Sequence, residues 1–230
     1  MLNFTPNICT MKNIFLLLPL IFCSPISCQN NNAQNTKQQA VINAKPVEVP
    51  LENGIAKAYF ASGCFWCVEA VYESVHGVRE AISGYAGGFT DNPTYELSNT
   101  GRTGHAEAVE VLYNPSVVSF STLVDVYFGS QNVSQVNGQG PDRGSQYRSI
   151  IFYQNQEQKA IILKKIAKIE KTGNTTVAAE VYPFQKFWKA ENYHQNYERL
   201  HPNNPYVRNV SIPRLKRFKA KFPHILKENH

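Results

Sequence analysis

Cysteine is scarce in this chain and unevenly placed. Of five in 230 residues, Cys9, Cys23 and Cys28 fall at the N-terminus, and only Cys64 and Cys67 remain for everything after it. That excludes the disulfide framework of a small stapled fold. There is no second cysteine pair, and no two of the six histidines stand three to five residues apart. A zinc clip at Cys64 and Cys67 would therefore hold half of its four ligands. No segment repeats. The longest apolar run, Ile14 to Cys23, is broken by Pro19 and is too short for a stable membrane span. Charge is modest as well, at net +6. The local excess at Arg214, Lys216, Arg217, Lys219 and Lys221 reads as a solvated face, with nothing that specifies nucleic acid.

The apolar run follows Lys12 and precedes Ser24-Pro25-Ile26-Ser27, so residues 1–28 read as a secretory leader, with Met11 as a start that puts Lys12 in its basic region. Ile26-Ser27-Cys28 resembles a lipobox, with Pro25 where leucine is usual. Lipidation of Cys28 would anchor an exported protein in the cell envelope, in the periplasm or at the surface. Residues 29–46 are rich in Asn and Gln and are expected to form a flexible tether. A single domain over 47–230 follows.

Ala56 to Ala61 predicts a strand that ends at Ser62-Gly63. Val68, Val71, Tyr72 and Val75 then give a helix face, closed by His76-Gly77. Strands are expected over 78–85, 106–113, 147–153 and 175–182. Helical stripes are expected at Phe120, Leu123, Val124 and Tyr127, and at Ile162, Leu163, Ile166 and Ile169. Residues 86–104 and 131–146 read as long polar loops, which are uncommon inside a compact domain unless they build a site. The last fifty residues show little periodicity. This order predicts an α/β (α+β) two-layer sandwich with helices against a mixed sheet.

The stretch Cys64-Phe65-Trp66-Cys67 sits at a helix start, where unpaired N–H groups favour a thiolate. A redox pair fits better than a metal clip or two inert thiols, yet a thioredoxin-like exchanger would show the same strand, cysteines and helix. A surface-binding lipoprotein with incidental cysteines is a third reading. Glu107 separates them. On its strand it shares a face with Val109 and Val111, so if the valines face the core the carboxyl lies in apolar surroundings that keep it protonated.

Four segments together resemble peptide methionine sulfoxide reductase A: GCFWCVE at 63–69, SGYAGGFTDNPTYE at 83–96, TGHAEAVEV at 103–111 and QGPDRGSQYRS at 139–149, with ENYHQNY at 191–197 as a weaker match. The resemblance runs from Ala56 to about Tyr206. It implies an α/β plait with a ferredoxin-like core, no metal or flavin, and thiol-dependent reduction of methionine S-sulfoxide, peptide-bound or free, in protein repair. It further implies Cys64 as nucleophile, Glu107 as acid, and Tyr95 and Tyr147 as donors to the sulfoxide oxygen. Phe65 and Trp66 would seat the methyl group, with Asp142, His194 and Tyr197 binding substrate. No C-terminal cysteine is available, so Cys67 is expected to resolve a Cys64 sulfenic acid as a disulfide, which a thioredoxin-like partner would reduce. One segment departs from the family: Gln131-Asn132-Val133-Ser134 stands where His-Asp-Pro-Thr is common.

Overall fold

The computed structural model describes the backbone of residues 1–2 and 26–228, and side chains of 1–2 and 32–228. Most of the leader expected over 1–28, and the Cys28 side chain, lie outside the described residues. In chain order, α1 (Ile26–Ile42) is followed by β1 (Ala56–Ala61), α2 (Phe65–Glu73) and β2 (Val78–Ala86). A short α3 (Tyr95–Asn99) then leads into β3 (Ala106–Tyr113) and α4 (Phe120–Gly129). The hairpin β4 (Gly138–Gln139) and β5 (Asp142–Arg143) precedes β6 (Ile150–Tyr153), α5 (Gln156–Gly173), β7 (Glu180–Pro183) and β8 (Phe187–Lys189). Helices α6 (Tyr197–Leu200) and α7 (Ile212–Lys221) follow.

Six strands form one sheet in the order β7-β6-β1-β3-β2-β8, antiparallel except where β7 runs parallel to β6. Strands β1 and β2 flank β3 and are joined through α2, so side chains on the central strands are buried on both faces. One face carries the larger core. The stripe Val68, Val71 and Tyr72 of α2 meets Leu123, Val124 and Tyr127 of α4, with Phe218 of α7 and Ile162 of α5. The Phe60 ring stacks on Tyr72 at 4.8 Å. Burying side chains of this size stabilises the fold by about 1.5–3 kcal/mol each. The other face is smaller: Tyr59, Ala61, Ala86, Ala106, Ala108, Ile150 and Phe152 are covered by Tyr182, Phe184 and Ile42.

Several segments differ from the sequence-based expectation. The tether expected over 29–46 is mostly the helix α1, and Gln38 Nε2 donates to the Gly87 carbonyl at 2.7 Å while Ile42 packs on the smaller core. Its composition has no apolar stripe, so periodicity gives no sign of it. Residues 86–104 and 131–146 are not plain loops, since they hold α3 and the β4–β5 hairpin. Thr94 caps α3 by accepting from Leu97 N. The strand expected from Thr175 begins only at Glu180, because Val177 N donates to Glu170 and Ala178 N to the Val133 carbonyl instead of a ladder. Leu163, expected inward, is 47% exposed, while Ile162 is fully buried. The aperiodic end folds as β8, α6 and α7, tied down by pairing and side-chain contacts that hydrophobic period does not register.

The turn between β1 and α2 fixes the entry to the site. Gly63 has φ +75°, and a Cβ there would lie 2.6 Å from Gln139 Cβ. Left-handed backbone costs a non-glycine residue about 1–2 kcal/mol, and overpacking adds about 1–3 kcal/mol. Gly63→Ala is therefore expected to lose ~3 kcal/mol in urea unfolding, and a midpoint equal to wild type would refute this account of the turn.

Candidate active site

Helix α2 has a poor cap. Cys64 occupies the N-cap position, and its side chain makes no capping bond. The first free backbone donor is satisfied from elsewhere: Phe65 N donates to Glu107 Oε2 at 3.0 Å, from the start of β3. Glu107 is 2% exposed, on the strand face that also carries the fully buried Val109 and Val111. The alternation along β3 is thus as the sequence phase predicts. Burial pushes the Glu107 carboxyl up to about 8, against the pull of the Phe65 N–H and with help from Asp142 and Cys67. It is mainly protonated at neutral pH.

Cys64, Phe65, Trp66, Tyr95, Glu107, Asp142 and Tyr147 all border one pocket of about 310 Å³, together with Asn204 and Tyr206. Burial raises the pKa of the Tyr95, Tyr147 and Tyr206 hydroxyls, which keeps them as neutral donors. Tyr95 is held by its backbone, whose N–H donates to Glu191 Oε1 at 2.9 Å while Tyr85 donates to the other oxygen. Tyr147 stands on the single helical turn Ser145–Tyr147 after the hairpin. The Tyr206 hydroxyl donates to Asp142 Oδ2 at 2.6 Å and lies 3.7 Å from Cys67 Sγ. Burial raises the Asp142 carboxyl, and the Tyr206 bond opposes the rise.

His194 and Tyr197, expected at the substrate, do not border the pocket. They stand behind its aromatic wall. The Trp66 Nε1–H donates to His194 Nδ1 at 3.2 Å, and the Tyr197 ring stacks on Trp66 at 3.7 Å and 8°. His194 also packs on Phe65 and Tyr95, at 4.8 and 4.6 Å. Burial lowers its pKa, so the ring is neutral and free to accept from Trp66 at Nδ1. Sequence spacing groups these residues with the site but carries no information on depth. Tyr206, Asn204 and Glu191 were not singled out as site residues, and the nearest signal for the first two was a short Asn-Asn-Pro-Tyr run. The Asn204 side chain accepts from Tyr206 N at 2.9 Å, which sets the tyrosine's direction.

The thiols differ from the expectation of a helix-start thiolate. Burial pushes Cys64 up, and Cys67 and Glu107 add to the rise. Cys67 is lowered, first by its hydrogen bond with Cys64 and then by Arg214. The helix-start donor that would favour a Cys64 thiolate is already engaged by Glu107. Both cysteines are reduced and buried. One turn apart, with an acid and three neutral hydroxyls on the Cys64 side, they can attack an electrophilic sulfur, protonate its oxygen and close a disulfide.

Known proteins share this arrangement of sequence. A family model described as peptide methionine sulfoxide reductase matches residues 56–226. A peptide methionine sulfoxide reductase MsrA of Pasteurella multocida is 46% identical over 171 residues, covering 74% of this chain and 98% of that protein. Its namesake in Nautilia profundicola is 48% identical over 162 residues, covering 70% and 93%. Among solved structures, methionine sulfoxide reductase A of Corynebacterium diphtheriae superposes with a TM-score of 0.59 at 33% identity, covering 70% of this chain and 83% of that one. The reduced form of Mxr1 from Saccharomyces cerevisiae gives 0.61 at 28% identity, with coverage of 71% and 94%.

The raised Glu107 pKa has a stability consequence. The folded protein holds this proton between about pH 4.5 and 8 and the unfolded chain does not, so its contribution is present at low pH and lost as pH rises through about 8. Glu107→Gln removes that loss. Relative to wild type, the variant is expected to gain ~3 kcal/mol or more between pH 5 and pH 9, at about 1.4 kcal/mol per unit. Paired urea titrations at the two pH values measure it, and an unchanged difference would contradict the protonated carboxyl.

Proposed function

The chain belongs to the peptide methionine sulfoxide reductase family, and on that premise we propose how its own residues carry out the reaction. The protein reduces methionine sulfoxide to methionine and so repairs oxidised proteins. The observation that carries the assignment of roles is the Glu107 carboxyl, buried beside the nucleophile position and hydrogen-bonded to Phe65 N. A thiol–disulfide exchanger would leave that acid without a task.

The sulfoxide methyl sits against Phe65 and Trp66, where aromatic surface and sulfur attract. Its oxygen lies toward Glu107 and the hydroxyls of Tyr95 and Tyr147. Cys64 attacks the sulfoxide sulfur as Glu107 delivers its proton to the oxygen. The carboxylate takes up the Cys64 thiol proton, so the acid ends the step as it began. Oxygen passes to Cys64 as a sulfenic acid, and methionine leaves as the thioether with the sulfur lone pair restored. Cys67 then attacks the sulfenic sulfur, expelling water and closing the Cys64–Cys67 disulfide. Its lowered pKa suits that role. Two electrons from a thioredoxin-like dithiol reopen the pair. Asp142 shapes the pocket through Tyr206, while His194 and Tyr197 act on substrate only by holding Trp66.

Three finer readings complete the proposal. The strand order β6-β1-β3-β2, with α2 and α4 on one face, supports an α/β plait as the core. The apolar run after Lys12 supports export to the cell envelope, and the lipobox-like Ile26-Ser27-Cys28 supports a lipid anchor. The substrate is taken as the S-epimer, peptide-bound or free.

Separated S- and R-epimers of a methionine sulfoxide peptide, with excess dithiothreitol, test the assignment. Reduction of the S-epimer alone is expected, falling with pH above about 8 as Glu107 ionises. Cys64→Ser should abolish it, and Glu107→Gln should cost ~100-fold or more in kcat, within the usual range for a general acid. Without reductant, wild type should finish one turnover as a disulfide, and Cys67→Ser as a sulfenic acid trapped by dimedone. Full activity in Glu107→Gln would remove the acid from the mechanism.

A further inference from the structure

Cys64 and Cys67 open onto different spaces. The 310 Å³ pocket is walled by Cys64 and not by Cys67. A second cavity, of about 720 Å³, is walled by Cys67 and not by Cys64. Asp142 borders both, and its bond to Tyr206 makes it part of the partition.

The second cavity carries polar and cationic side chains on its wall. Gln131 and Asn132 line it from the segment that departs from the family, and Gln139 from β4. From α7 come Arg214, Arg217 and Lys221, spaced to share one helix face. The basic run expected as a solvated surface is thus divided, with Arg214 9% exposed and Arg217 and Lys221 exposed at the cavity. Arg214 donates to the Ser62 carbonyl at 2.9 Å, to Ser62 Oγ at 2.9 Å and to the Ser130 carbonyl at 2.8 Å. None of these partners carries charge. Among the described residues, neither Arg214, Arg217 nor Lys221 forms an ion pair. The one carboxylate on the wall, Asp142, already accepts from Tyr206. Three cations beside a reactive sulfur, without anionic partners, make a receptor for an anion.

We propose that this cavity is the reductant's port: it takes a thiol bearing carboxylates and presents it to Cys67 of the Cys64–Cys67 disulfide, while the sulfoxide enters at Cys64. The proposal rests on Cys67 as the resolving residue. The incoming thiolate attacks Cys67 Sγ, forming a mixed disulfide and breaking the Cys64–Cys67 bond. Cys64 leaves with the electron pair and takes up the proton that the incoming thiol released. A second thiolate then attacks the mixed disulfide, releasing oxidised reductant and the Cys67 thiolate. Two thiols are oxidised and one disulfide is reduced. Charge alone would favour Cys67 as the leaving sulfur. Exposure does not favour Cys67 either, at 2% against 7% for Cys64. The larger cavity with its cations decides, because it can seat and pair an anionic thiol, which the smaller aromatic pocket at Cys64 does not.

Thiol exchange at Cys67 in the full-length Cys64→Ser variant tests this without needing turnover. Its rate of modification would be followed by mass spectrometry with glutathione disulfide, neutral hydroxyethyl disulfide and cationic cystamine. The expected order is anionic, then neutral, then cationic, and Arg217→Glu with Lys221→Glu should slow the anionic probe by about 10-fold. In the otherwise wild-type enzyme, the same double reversal should raise the KM for glutathione by a similar factor and leave dithiothreitol-driven reduction unchanged. Rates independent of probe charge, or unmoved by the reversal, would overturn the port. Failure of the wild type to reduce any sulfoxide would instead overturn the catalytic reading, and the exchange rates would still report on the cavity.

Discussion

The contact between Phe65 N and Glu107 Oε2 organises this molecule more than any other. It supplies the missing cap of α2, joins that helix to the start of β3, and puts a carboxyl where water cannot solvate its charge. Each consequence depends on the one before. A serine or aspartate at the cap position would satisfy the helix locally, but Cys64 cannot, so the carboxyl is drawn to the helix start and keeps its proton there. The local defect in the helix and the chemistry of the site are one feature. Gly63 makes the geometry attainable by turning the chain in a left-handed conformation tight against Gln139. Arg214 holds the preceding Ser62 from the other side.

Around that contact the site is built in layers from distant sequence. Phe65 and Trp66 come from α2, Tyr95 from α3, Tyr147 from the turn before β6, and Tyr206 from the approach to α7. Behind them His194 and Tyr197 fix the indole by a hydrogen bond and a stack. Glu69, in the next turn of α2, is buried and raised by burial to about 7, and it bonds to Ser83 of β2 and to Asn196 N. The aromatic wall is therefore rigid for reasons that lie outside the pocket.

Much of this was legible from the sequence where period and burial coincide. The phase of Val109 and Val111 places Glu107 correctly because a strand alternates strictly, and the stripes of α2 and α4 emerge for the same kind of reason. The Cys-Phe-Trp-Cys motif and its neighbouring segments carry the pocket's lining residues except Asn204 and Tyr206. What stayed hidden depends on contacts between segments. The β4–β5 hairpin, α1 and α6 have no hydrophobic period of their own. The sequence groups His194 and Tyr197 with the site, and the structure sets them behind Trp66, a depth that spacing does not encode. The thiol of Cys64 shifts upward because burial outweighs the helix start, and only packing reveals how buried it is.

The borders of the sheet carry a further meaning. It ends in β7, four residues closed by Pro183, and in β8, three residues preceded by Lys186 and ending in Lys189, with Lys186 lying 3.6 Å over the Trp188 ring. Short strands with proline and lysine offer little unpaired backbone for another chain to extend. Oxidised methionine disrupts the cores it occupies, so the clients of a repair enzyme are often partly opened, with their own strands exposed. A long bare edge would invite those clients to add themselves as a seventh strand. The clipped borders let this protein work among aggregation-prone chains without becoming a seed for them.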